Sequence, residues 1–114
     1  AILGPKRLGY AAGISCHGTQ LLDFIKELDG VTQPVSITWG DQDHAAPPPV
    51  QEAYRTVPAR MKNVDVNIFP GVLHGYMMRG NAKAYHAETY KFTMGRALAI
   101  LNGLRGEGQA RRTA

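Results

Sequence analysis

The chain has 114 residues, 44% apolar and 19% charged, and a net charge of +4. That is the balance of one small globular domain rather than a disordered or fibrous segment. No run is long and apolar enough to span a membrane, and a single cysteine, Cys16, excludes an internal disulfide or a multi-cysteine zinc site, so a cytoplasmic chain is expected.

In chain order, Leu8 to Cys16 (LGYAAGISC) is a short apolar stretch without helical periodicity, stopped by His17-Gly18. It reads as a buried strand, near 9–16. Thr19 or Gln20 can cap a following helix in which Leu21, Leu22, Phe24, Ile25 and Leu28 share one side, closed by Asp29-Gly30. The β-branched and aromatic run Pro34 to Trp39 is a second strand, stopped by Gly40. Pro47-Pro48-Pro49 then suits the first turn of a helix, continued by Val50, Ala53, Tyr54 and Val57 and ended before Pro58.

Val64, Val66 and Ile68 alternate with Asp65 and Asn67, which predicts a strand over 64–69 with one polar face, near a sheet edge. After a loop from Pro70 to about Gly80, a helical stripe through Tyr85, Thr89, Phe92, Arg96 and Ile100 runs from Ala82 to Leu104. The remaining residues, 105–114, are Gly-rich and polar and read as a flexible tail that carries part of the positive charge. The other basic residues are scattered, with no stripe of the kind nucleic-acid binders show, so neither nucleic acid nor membrane is an expected partner.

Alternating strands and helices signify an α/β parallel sheet with covering helices, here one unit over residues 1–104. Three strands leave two open edges and a small buried fraction, so the pattern looks like part of a larger sheet. In such sheets the functional loops lie beyond the carboxyl ends of the strands. Those three places hold Ser15, Cys16 and His17, then Asp41, Asp43 and His44, then Leu73, His74, Tyr76 and Arg79.

Trp39-Gly40-Asp41-Gln42-Asp43-His44-Ala45-Ala46-Pro47, followed by Phe69-Pro70-Gly71-Val72-Leu73-His74-Gly75-Tyr76, resembles the dienelactone hydrolase family of α/β-hydrolases. That family is known for a strand ending in G-x-x-D-x-x-x-P, which carries a triad acid, and a later P-G-x-x-H-G-F/Y, which carries the triad histidine. Ala11 to Gly18 and Tyr85 to Leu104 are similar to its preceding strand and its last helix, so the resemblance covers nearly the whole chain. It implies the C-terminal half of an α/β-hydrolase, cleaving an ester or lactone through a covalent acyl-enzyme, with Asp43 orienting His74 and no cofactor.

A serine or cysteine nucleophile needs such a base, and the base needs a carboxylate to fix its tautomer. No G-x-[S/C]-x-G elbow occurs in the chain, however, and the family register places the nucleophile upstream of Ala1. The expected partners are therefore a small ester or lactone and either the missing N-terminal half or a second copy. The alternative is a non-catalytic fragment that binds a partner or oligomerises through its open sheet edge.

Several residues compete for roles. Asp41 rivals Asp43 as the acid, and Asp43 can instead cap the helix starting near Pro47. Cys16 reads as a small buried hydrophobe, with a Cys16, His74, Asp43 triad as the minor alternative. His17 beside it is a poor base for it, since neighbouring strand side chains point to opposite faces. His44 reads as a loop residue and His86 as a residue of the last helix away from the strand ends. No metal is expected, because His44, His74 and Asp43 lack a ligand spacing. Arg79 can meet an anionic substrate group, although the resemblance puts the family's arginine one position earlier, at Met78, and Tyr76 can line the acyl portion of the site.

Overall fold

The computed structural model describes residues 1–19 and 21–113, with side chains described to residue 106. Three parallel strands, β1 (Gly13–Cys16), β2 (Val35–Gly40) and β3 (Val64–Phe69), form one sheet in the order β1-β2-β3. The register pairs Gly13 with Val35 and Val35 with Val64, so all three carboxyl ends come out on one side.

β2 is the central strand and buried along its whole length. Its residues alternate between two faces. Val35, Ile37 and Trp39 enter the hydrophobic core with Leu21, Leu28, Val50, Tyr54 and Val57, supplied by the helices α2 (Pro48–Arg55) and α3 (Val57–Arg60) and the segment before β2. On the other face Ser36 donates to Asp65 (2.7 Å), and Asp65 also accepts from Arg96 of the long helix α4 (Ala87–Thr113). Phe69 meets Phe92 edge-on at 5.0 Å on the same face. The polar alternation of β3 is therefore the seat of α4, and β3 lies at a sheet edge, as its pattern predicts.

Four stretches depart from the sequence reading. The apolar run opened at Leu8 is not all strand: Leu3–Leu8 is a short helix, α1, closed by Gly9 with φ 71°, and only Gly13–Cys16 pairs. Leu8 and Tyr10 are exposed, so their apolar character reported no burial there. The helix expected from 19 or 20 to 28 is a succession of tight turns ending in a single 3₁₀ turn, Ile25–Leu28, while Gln20 lies outside the described residues. Its amides bond three residues back, Phe24 to Leu21 and Glu27 to Phe24, and the Leu21 carbonyl also receives the buried Tyr54 hydroxyl. That burial pushes the Tyr54 phenol up to about 12.

Pro58 does not end the second helix but starts a new one. α2 stops at Arg55, and Pro58 sits in the first turn of α3, where its missing N–H is no loss. The last helix starts at Ala87 rather than Ala82, since Ala84 and Tyr85 both bond back to the Asn81 carbonyl in a turn. Its backbone is helical to Thr113, past Leu104 and through the stretch whose composition reads as irregular. Among the described residues no helix is long and apolar enough to cross a membrane.

Candidate active site

The loop after β2 leaves the sheet under a tight steric condition. A Cβ on Gly40 would stand 1.9 Å from the Val72 carbonyl oxygen, so only glycine lets the loop after β3 pass this close. The two loops are then tied together: Asp41 N–H donates to Phe69 O (2.9 Å), Gln42 N–H to Val72 O (3.1 Å), and the Asp41 carboxylate accepts Gly71 N–H (2.8 Å). Asp41 is thereby a brace between loops and makes no contact with His74. From α2, Gln51 reaches back to the carbonyls of Asp41 (3.1 Å) and Ala46 (2.8 Å). Sequence reasoning passed over Gln51, whose buried amide carries no motif.

On this frame Asp43 and His74 meet. Both Asp43 carboxylate oxygens lie 3.0 Å from His74 Nδ1, the Asp43 side chain has no exposed surface, and that of His74 is 28% exposed. Asp43 Oδ1 further accepts Ala45 N–H (2.8 Å). A carboxylate only accepts, so Nδ1 carries the imidazole proton and Nε2 is left with a free lone pair. The helix-capping role is not taken, because the residue before α2 is Pro47 and α2 has no side-chain cap.

The neighbours of this pair are aromatic. His17 lies edge-on to His74, with ring centroids 5.1 Å apart, and His44 stands 5.0 Å from the same ring. Burial pushes the His17 imidazole below its usual range, and the closeness of a second imidazole, His74, adds to the effect because the two disfavour carrying charge together. Tyr76 has no exposed surface, and its hydroxyl pairs with Thr93 on α4 (2.9 Å). Its phenol is pushed up to about 12, chiefly by burial. Tyr76 thus packs into the fold with its hydroxyl turned to α4 rather than to the cavity beside His74.

Arg79 holds its guanidinium 4.8 Å over the Tyr90 ring. A cavity of about 280 Å³ opens beside His74 instead, lined by Gln42, His44, Leu73, Asn81, Lys83 and Ala84. A second cavity of about 300 Å³, bounded by Ile2, Ser15, Leu21 and Phe24 among others, has neither an imidazole nor a carboxylate among the described residues of its wall. Cys16 is half-buried, and burial pushes its thiol up, away from the thiolate a nucleophile requires. His86 stands just before α4 and bonds Thr89 through Nδ1 (2.8 Å), a helix-start contact rather than one to the pair. Among the described residues, no cluster of metal-ligating side chains forms.

Three parallel strands, with a buried carboxylate beyond the second reaching an imidazole beyond the third, define part of an α/β-hydrolase sheet. The model of the Dienelactone hydrolase family matches residues 2–104, and the chain belongs to that family of hydrolases. No curated protein matches the chain.

Proposed function

We propose that this chain carries the acid and base of an ester or lactone hydrolase, with His74 as general base and Asp43 as the carboxylate that orients it. The observation that carries this is the buried Asp43 carboxylate, whose two oxygens stand equally 3.0 Å from Nδ1. With the proton held there, Nε2 accepts the proton of a serine or cysteine nucleophile as it attacks the acyl carbon, and returns it to the leaving oxygen. In the second half the same nitrogen takes a proton from water, which displaces the acyl group, and gives it back to the nucleophile. The cavity beside His74 takes a small acyl or lactone portion.

The 114 residues contain no elbow sequence, so the nucleophile comes from a polypeptide segment outside them. β1 is the natural seat for that segment, since its outer edge pairs with no strand among the described residues. The same open edge favours a second reading, a module that pairs with another chain and does no chemistry. Nitrophenyl ester hydrolysis by the chain together with the nucleophile-bearing segment separates the two. His74→Ala is expected to lower kcat by about 10⁴-fold or more in that assembly. Hydrolysis that survives this substitution would remove the assignment, and an assembly without hydrolysis would leave the binding module.

A further inference from the structure

His17 is the non-glycine residue with a positive φ among the described residues, at 41°. An L side chain is disfavoured there, and strain of this kind persists only where the surroundings impose it. One tie is visible: His17 N–H donates to Thr38 O (2.9 Å), which extends the β1-to-β2 ladder by one residue and fixes where the side chain departs. The ring then meets two others edge-on, His74 at 5.1 Å and 73° and Tyr76 at 5.4 Å and 82°. Both lie within the range where edge-to-face rings attract.

Of these neighbours, Tyr76 cannot move: it is fully buried and anchored to Thr93, which itself bonds the Thr89 carbonyl (2.8 Å). His74 by contrast is partly exposed, and its bond to Asp43 is shared between two oxygens at equal distance. A shared bond tolerates rotation of the imidazole better than a single directed one. A contact from another direction removes that freedom, and His44, tilted at 56° and itself exposed, has no backing to provide it.

We infer that His17 is a positioning residue: backed by Tyr76, its ring holds the His74 imidazole against Asp43 so that Nε2 keeps one direction. The inference rests on the reading of His74 as base, and it makes no use of Cys16. It needs an aromatic edge at position 17 rather than a second titrating nitrogen, and an uncharged neighbour suits a histidine that gains a proton during the reaction.

Two substitutions test it by proton NMR of the full chain at neutral pH, read as solvent exchange of the His74 Nδ1 proton. His17→Gly removes the ring and relieves the backbone, whereas His17→Tyr keeps an aromatic edge without an imidazole. Exchange is expected to quicken about two- to tenfold in His17→Gly, the opening change that one edge-to-face pair supports, and to return to the original rate in His17→Tyr. The melting temperature of His17→Gly is expected to hold or rise. Unchanged exchange in His17→Gly would overturn the inference, as would equal quickening in both variants or quickening that accompanies a lower melting temperature. Ester hydrolysis in His74→Ala tests the base assignment separately, so the two can fail independently.

Discussion

Gly40→Ala is the substitution that most directly tests how the fold builds the site. The new Cβ would lie 1.9 Å from Val72 O, 2.3 Å from Val72 C and 2.6 Å from Val72 Cβ. Ordinary contact begins at 3.4 Å, and because the obstacle is backbone, no rotamer change relieves it. The loop after β3 must retreat by about 1.5 Å, a large displacement for a packed interior, or β2 must bend. Either response breaks the Gln42-to-Val72 bond and moves His74, two residues on, away from Asp43. Overpacking of this kind costs about 3 kcal/mol, the upper part of the range seen for inserted methyl groups. For a domain of this size that lowers the melting temperature by about 10–20 °C. A displacement of roughly 1 Å at a base is enough to slow the proposed reaction about a hundredfold. Circular-dichroism melting together with the His74 Nδ1 proton signal checks both parts. A melting temperature within about 2 °C of the original, with the proton signal intact, would refute the claim that glycine is required at this crossing.

In the assembly with the nucleophile-bearing segment, Asp43→Asn is expected to leave the shape of the site intact and lower kcat about 10⁴-fold, because an amide whose oxygen keeps the Ala45 bond turns its NH₂ toward Nδ1 and selects the wrong tautomer. Activity close to the original in that variant would show that the carboxylate does not set the tautomer. Native Cys16 is expected to resist iodoacetamide at neutral pH and to react once the chain is unfolded, since burial holds the thiol protonated. Mass spectrometry of the labelled protein decides this, and rapid native labelling would reopen Cys16 as a nucleophile. The lowered His17 value gives a pH dependence of stability. Above about 6.5 His17 is neutral in both states; as the pH falls below that, the unfolded chain takes up its proton first, so stability present above 6.5 is lost as the pH falls through the lower folded value. His17→Gly is expected to flatten this acid-side decline, read from the slope of melting temperature against pH rather than its level. An unchanged slope would locate the acid sensitivity elsewhere.

Much of the framework was legible because it is written locally. Val64 to Ile68 alternates cleanly, and Val35, Ile37, Thr38 and Trp39 are β-branched or aromatic, so β2 and β3 fall within a residue of their sequence bounds. Asp43 and His74 were singled out through motif spacing, but which of Asp41 and Asp43 meets the imidazole was not settled by pattern alone. It follows from loop geometry, which sends the Asp41 carboxylate to Gly71 N–H and the Asp43 carboxylate to Nδ1. The turns over 21–28 were misread because amphipathic spacing is present there, while the Leu21 carbonyl also receives a tertiary bond from Tyr54. Arg79 and Tyr76 were chosen by residue type and nearness to His74. Their partners, Tyr90 and Thr93, both belong to α4, and nothing local announces such a contact.

Positive φ also occurs at Gly9 and Gly30, where nothing crowds the backbone, but the non-glycine positive φ and the tightest glycine crossing among the described residues both stand at strand carboxyl ends, and their placement bears on what the sheet is for. His17 at φ 41°, the Gly40 crossing, Gly71 at φ 72° and Gly75 at φ 86° all follow the carboxyl ends of the three strands. In β2 itself, by contrast, Val35 and Ile37 obey every preference for a buried strand, and Trp39 departs only in its buried indole N–H, which finds no partner among the described residues. A chain built only to persist would gain by relaxing the strand ends, for instance with glycine in place of His17. Placing the strained His17 and the tight Gly40 crossing around one carboxylate and one imidazole makes sense if their mutual placement matters more than the stability given up. On that account a set of relaxing substitutions at these ends should stabilise the fold and loosen the Asp43 to His74 contact together, whereas substitutions in β2 should weaken the fold first.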